Sequence, residues 1–287
     1  MTELPAEVDL AAEELRGRID GDTLTVTIDR PEKRNALTAD GYHGIKTAAM
    51  IVADEPTLDF LVITGTGDAF CAGGDMNAVG NPDRRWDAFT EAYDGTPFET
   101  LGKIPKIVVC AVNGLALGGG LVMTLYADLV IASDRARMRV PDLTRGVYEA
   151  FVAARLPQRI GTLRANHLIY GNDWVEAEEA HRLGLVGKVV AHETLAAETA
   201  ALLDRVRNTG PAARTAMKRE MARSLPAVDA SGYWASVGTA EQIEAFTAFL
   251  QKRAPQWSRT SDRDAFVSTR RPAWIPPQPD AKGSEDH

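Results

Sequence analysis

The sequence predicts an α/β fold, with strands and helices layered about a buried sheet, followed by an all-helical C-terminal region. Two observations carry this reading. Up to Ala191 short apolar strand-like runs alternate with helix-like stretches, and beyond it the strand signal stops. The composition, 45% hydrophobic and 25% charged over 287 residues, supplies enough apolar side chains for a sizeable core. In chain order, Leu24-Thr25-Val26-Thr27-Ile28 alternates apolar and polar residues and is stopped by Asp29-Arg30-Pro31. Thr38 is placed to cap a helix whose Tyr42, Ile45, Ala49 and Val52 share one face. Asp59-Phe60-Leu61-Val62-Ile63-Thr64 is a buried strand running into the glycine-rich loop Gly65 to Gly74. Further strands are expected at residues 107–112, 129–132, 138–140 and 186–190. Amphipathic helices are expected at residues 195–206, 212–223 and 240–252, separated by Asn208-Thr209-Gly210-Pro211 and Leu225-Pro226.

Several function classes are excluded at this level. With 32 Lys+Arg against 40 Asp+Glu the net charge is −8, which argues against binding driven by nucleic-acid phosphates. Two cysteines, Cys71 and Cys110, make no disulfide framework or metal-type spacing, so a reducing, cytoplasmic compartment is expected, with both thiols acting as small buried hydrophobes. The acidic N-terminal residues carry no secretory signal pattern. Residues 107–127 carry no charge and reach the length of a membrane span. Their interior, with a turn at Asn113-Gly114 and three glycines at Gly118-Gly119-Gly120, predicts strand, turn and helix start instead, so no membrane partner is expected. The histidines His43, His167, His181, His192 and His287 form no ligand spacing, and no metal site is expected.

Four local patterns carry chemistry. The first is Arg30-Pro31-Glu32-Lys33-Arg34-Asn35-Ala36-Leu37. The second joins Thr64-Gly65-Thr66-Gly67 to Ala69-Phe70-Cys71-Ala72-Gly73-Gly74-Asp75-Met76. The third is Val112-Asn113-Gly114-Leu115-Ala116-Leu117-Gly118-Gly119-Gly120, and the fourth runs from Trp174 through Glu176-Ala177-Glu178-Glu179-Ala180 to Val186. Two glycine clusters, the second followed by a helix start, suit an oxyanion hole. Glycine lets backbone N–H groups approach a ligand closely, and the helix adds the positive end of its dipole. In this order the four patterns resemble the crotonase superfamily, the enoyl-CoA hydratase/isomerase family, over roughly residues 24–257.

The resemblance implies a crotonase-like spiral of ββα units. Residues 1–200 would form the catalytic core, 201–265 a helical trimerisation region and 266–287 a disordered tail rich in proline and charge. It implies an acyl-CoA thioester as ligand, no metal or redox cofactor, and assembly as a homotrimer or dimer of trimers. Gly74 and Gly119 become the oxyanion donors, each worth roughly 2.7–4 kcal/mol of transition-state stabilisation. Lys33 and Arg34 become partners for the CoA phosphates, and Ala36, Ala72, Gly74, Asp75, Met76 and Gly119 line the thioester site. Asp75 also reads as a cap for a following helix.

The chain departs from the family at its acids. A hydratase of this family uses two glutamates, and the first falls three residues after the oxyanion glycine, where this chain has Val122. The second matches Asp142 after Pro141, one carbon shorter. Glu149, counted back from Arg155-Leu156-Pro157, falls where dienoyl-CoA isomerases and aryl-CoA dehalogenases place an acid. Tyr148 and Arg145 are candidates for the same pocket. These departures favour double-bond isomerisation by Asp142 and Glu149 on a thioester enolate. The alternatives are hydration or another lyase reaction, hydrolysis of a β-keto acyl-CoA, and a non-catalytic CoA-thioester-binding protein.

Overall fold

The computed structural model describes residues 6–75, 96–236 and 238–257. After the short strand β1 (Glu7–Val8), β2 (Leu15–Asp20) and β3 (Thr23–Ile28) form an antiparallel hairpin whose turn uses Gly21 at φ 57°. Thr38 then caps α1 (Ala39–Asp54), its hydroxyl accepting from the Gly41 N–H, and α1 buries Tyr42, Ile45, Ala49 and Val52 as their spacing predicts.

From here the chain repeats one unit: a strand in a large sheet, a strand in a small sheet, then a helix. β4 (Phe60–Gly65) and β5 (Ala69–Cys71) precede α2 (Pro97–Lys103). β6 (Ile107–Val112) and β7 (Leu115–Leu117) precede α3 (Gly119–Tyr126). β8 (Leu129–Ser133) and β9 (Arg137–Arg139) precede a 3₁₀ turn, Asp142–Arg145, and then α4 (Ala150–Ile160). β4, β6 and β8 pair in parallel, and so do β5, β7 and β9, so three successive turns of one spiral stack on each other. This is the ββα spiral that the family resemblance implies.

The chain continues through α5 (Thr162–Gly171), β10 (Val175–Glu176), α6 (Ala177–Leu183) and β11 (Lys188–Val190). The sheets read β1-β2-β3-β4-β6-β8-β11 and β10-β9-β7-β5. β1, β2, β5, β7 and β10 are not among the expected strands: four of them run only two or three residues, too few to show periodicity, and β2, Leu-Arg-Gly-Arg-Ile-Asp, has only two large apolar residues. Strand alternation splits the core between the two faces of the large sheet. Leu61, Ile63, Val108, Cys110 and Val112 face α1 and α3, whereas Phe60, Val62, Val109 and Ala111 face α7 (Leu195–Arg207) through Leu195 and Leu203. Both cysteines are buried free thiols.

The uncharged stretch 107–127 is β6, β7 and α3, and among the described residues no helix is long and apolar enough to cross a membrane. After α7 come α8 (Pro211–Ala222), α9 (Ser231–Ser236) and α10 (Ala240–Leu250). α8 is fastened to the core by ion pairs, Lys218 to Asp128 at 2.6 Å and Arg214 to Asp59 at 2.8 Å. The tail expected at 266–287 lies outside the described residues.

Candidate active site

Three loops at the ends of the parallel strands build the site. The first follows β3. Pro31–Lys33 makes one 3₁₀ turn, and Arg34 and Asn35 then reverse the chain at φ 52° and 58°. Asn35 is buried and binds both sides of the loop. Its Oδ1 accepts the Arg30 N–H at 2.9 Å, and its Nδ2 donates to Thr66 O at 2.9 Å and Ala69 O at 2.6 Å. The Ala72 N–H donates to Arg34 O. This stitching holds Lys33 and Arg34 exposed and Ala36 and Ala72 half-buried along the second loop.

The second loop, Cys71 to Asp75, lies beside Leu37. The Leu37 N–H donates to Gly73 O at 2.9 Å, and the Asp75 N–H donates to Leu37 O at 2.8 Å. A parallel bridge of this kind turns the Gly74 N–H away from Leu37. Asp75 is buried, and its carboxylate accepts from the Arg30 guanidinium at 2.8 Å, so its visible role is to tie the first loop to the second. The helix that Asp75 is expected to cap, and Met76 itself, lie outside the described residues.

The third loop is Gly118-Gly119-Gly120, where α3 begins. Gly118 turns at φ 46° and ψ −121°, a conformation favouring glycine, and Gly119 is the first helical residue, whose N–H has no partner within its own helix. A Cβ on Gly119 would stand 2.0 Å from the Tyr42 hydroxyl, and one on Gly120 would stand 2.2 Å from Cys71 O. A Cβ on Gly73 would stand 3.4 Å from the Gly119 nitrogen, so the two glycine loops abut.

Two carboxyls complete the site. Asp142 opens the 3₁₀ turn after β9, and its Oδ1 would lie 3.5 Å from a Cβ on Gly118. Its Oδ2 is sealed from solvent with no hydrogen-bond partner, among the described residues. Glu149 caps α4, and its Oε1 accepts the Phe151 N–H at 3.1 Å. Gly74, Gly118, Gly119, Asp142 and Glu149 line one small cavity of about 70 Å³, walled by Tyr42, Phe98, Phe151 and Tyr233. The Phe98 and Phe151 rings meet edge to face at 5.1 Å, as do Tyr42 and Phe98 at 5.6 Å, which fixes the wall.

Burial pushes Asp142 up from its ordinary 3.8 to about 6, partly offset by Arg145. Glu149 is driven well above the usual carboxylate range, by burial first and by the Asp142 charge second. Two neighbouring acids of this kind cannot both ionise cheaply, so an ionised Asp142 favours the protonated form of Glu149.

The sequence-predicted Gly74, Gly119, Asp142 and Glu149 therefore meet in one cavity. Val122 does not line it; its side chain is fully buried in the hydrophobic core. Arg145 instead covers the Phe249 ring at 3.9 Å, and Tyr148, over a third exposed, does not line the cavity. The aromatic wall is not legible in the sequence. Tyr42 reads there only as a core position, and no periodicity marks Tyr233, far along the chain, as a neighbour of Glu149. Among the described residues no group of three His, Cys, Asp or Glu side chains is placed to hold a metal ion.

Comparison with known proteins bears on the family and the fold. A family model described as enoyl-CoA hydratase/isomerase matches residues 18–274. The chain belongs to that family. It is 34% identical over 236 residues to a crotonyl-CoA hydratase of Syntrophomonas wolfei, covering 79% of this chain and 90% of the relative. It is 31% identical over 258 residues to a carnitinyl-CoA dehydratase of Proteus mirabilis, covering 83% and 95%. The crystal structure of a carnitinyl-CoA hydratase from Mycobacterium avium superposes with a TM-score of 0.76 at 27% identity, covering 86% of this chain and 98% of that one. Family membership makes the spiral and its cavity the natural place to look for the chemistry.

Proposed function

We propose that the protein adds water reversibly across the α,β double bond of an enoyl-CoA thioester, with Asp142 and Glu149 sharing both proton transfers. The observation that carries this reading is the pair of buried carboxyls, both with raised proton affinity, in the same cavity as two glycine loops. The Gly74 and Gly119 N–H groups would hold the thioester oxygen and stabilise the enolate. The ionised carboxylate takes a proton from water as its oxygen bonds to the β-carbon. The protonated carboxyl gives its proton to the α-carbon, so the pair again holds one proton at the end. Proton transfer of this kind needs no metal or redox cofactor.

Lys33 and Arg34, exposed at the rim, are assigned to the CoA phosphates, and Ala36 and Ala72 to the path leading inward. Asp75 supports that path through Arg30 rather than by touching the ligand.

Hydration replaces the isomerisation favoured by the sequence because the relatives reported above are named for water addition or removal. Isomerisation stays as a second reading on one observation: position 122, where the family pattern has an acid, is apolar and outside the cavity. A panel of acyl-CoAs followed by mass spectrometry separates the readings. Gain of one water supports hydration, a mass-neutral shift of the double bond supports isomerisation, CoA release supports hydrolysis, and binding without turnover leaves a thioester-binding protein.

We also propose self-association as a trimer or dimer of trimers. Leu163, Tyr170, Met217, Met221, Ile243 and Leu250 are each more than half exposed, an unusual apolar surface for a monomer. Sedimentation equilibrium tests this, and a monomer at micromolar concentration would refute it.

A further inference from the structure

The helices after α8 do more than extend the surface. Ser236, in α9, is fully buried, and its hydroxyl accepts the Tyr148 N–H at 3.2 Å while donating to Tyr233 O at 2.6 Å. One side chain thus ties the turn that carries Tyr233 to the residue just before Glu149. α10 grips the other end of the same acid loop. A Cβ on Gly146 would stand 2.7 Å from the Gln242 nitrogen and from the Glu241 carbonyl carbon, and Arg145 lies over Phe249. The loop 142–149, which carries both carboxyls, is therefore held by the C-terminal helices of its own chain.

Tyr233 is the group those helices add to the cavity. Phe98 and Phe151 supply apolar wall, whereas Tyr233 brings a phenol to the same cavity, close to Glu149 and Asp142. A 3-hydroxyacyl thioester with a plain alkyl chain has two oxygens on its acyl part. The carbonyl oxygen is matched by the Gly74 and Gly119 N–H groups, which leaves the oxygen at the β-carbon. We propose that Tyr233 contacts that β-oxygen, as incoming water in one direction and as the substrate hydroxyl in the other. This assignment rests on the hydration reading above. Burial and the nearby Glu149 and Asp142 charges push the phenol's pKa upward, so it remains a proton-bearing donor throughout the neutral range. α9 is thus part of the catalytic cavity rather than of an assembly surface alone.

The test is Tyr233→Phe, which keeps the ring and removes one oxygen, read by calorimetric titration with butyryl-CoA and with 3-hydroxybutyryl-CoA. The butyryl-CoA Kd should be unchanged, the 3-hydroxybutyryl-CoA Kd should rise about tenfold, and kcat for crotonyl-CoA hydration should fall roughly 10- to 100-fold. A merely structural role would weaken both ligands together. Equal effects on the two ligands, or none on either, would overturn the assignment while leaving the hydration reading intact. Failure of the wild-type protein to bind either thioester would remove the hydration reading, and this assignment with it, before the variant is measured.

Discussion

Replacing Asp142 with asparagine should make the protein inactive and more stable at once. Asp142 is raised from 3.8 to about 6 chiefly by burial. At about 1.4 kcal/mol for each tenfold change in an acid equilibrium, holding this carboxylate ionised in the fold costs about 3 kcal/mol relative to the unfolded chain. The sign follows from proton binding. Between pH 3.8 and about 6 the folded state binds more protons at this site than the unfolded state, so stability falls as pH rises through that window and stays low above it. An asparagine at this position would carry no charge to desolvate, but its amide still buries polar atoms, so only part of that cost should be recovered. Thermal melts at pH 8 and pH 5 provide the assay. The variant should melt a few degrees above wild type at the higher pH, with a smaller difference at the lower, and its turnover should fall roughly 10²- to 10⁴-fold. A variant that is destabilised to the same extent at both pH values would refute the electrostatic account of this carboxyl.

Other outcomes follow from the same geometry. Glu149→Gln keeps an oxygen for the Phe151 N–H, so it should retain thioester affinity in calorimetry while losing about 10²- to 10⁴-fold in kcat. The wild-type pH profile of kcat/KM should fall on the acid side near 6, where Asp142 takes up its proton, and on the alkaline side where Glu149 loses its own. Gly119→Ala places a Cβ 2.0 Å from the Tyr42 hydroxyl and should cost about 10²- to 10³-fold in kcat; adding Tyr42→Phe, which removes that oxygen, should restore part of the loss in steady-state assays. Lys218→Met leaves Asp128 without its buried partner and should cost about 3 kcal/mol in urea unfolding at neutral pH, much of it recovered by adding Asp128→Asn.

Much of this fold is legible because its strands are buried on both faces and read as unbroken apolar runs, as at Ile107–Val112. The glycine loops are legible because their backbone demands are severe: Gly118 needs a left-handed turn, and Gly120 has Cys71 O where a side chain would begin. The carboxyls are legible only by register against the family pattern, and the raised proton affinity that makes them useful comes from burial, which no single residue encodes. Asp75 shows the limit of local reading. Its place after Gly74 suggests a cap for a helix that lies outside the described residues, and nothing local announces its pairing with Arg30, 45 residues earlier. Tyr233 shows it again, because the six residues of α9, Ser-Gly-Tyr-Trp-Ala-Ser, carry no helical periodicity and their contact with the Tyr148 backbone depends on a single buried serine hydroxyl.

The most direct test of the central claim is crotonyl-CoA turnover in water labelled with both deuterium and oxygen-18. Hydration through the Asp142–Glu149 pair predicts one deuterium at the α-carbon and one oxygen-18 at the β-carbon of the product, with both labels lost together in Asp142→Asn and Glu149→Gln. Deuterium incorporated without oxygen-18 would contradict water addition and point to proton shuttling alone, and full oxygen-18 incorporation by either variant at the wild-type rate would contradict the role of the two carboxyls.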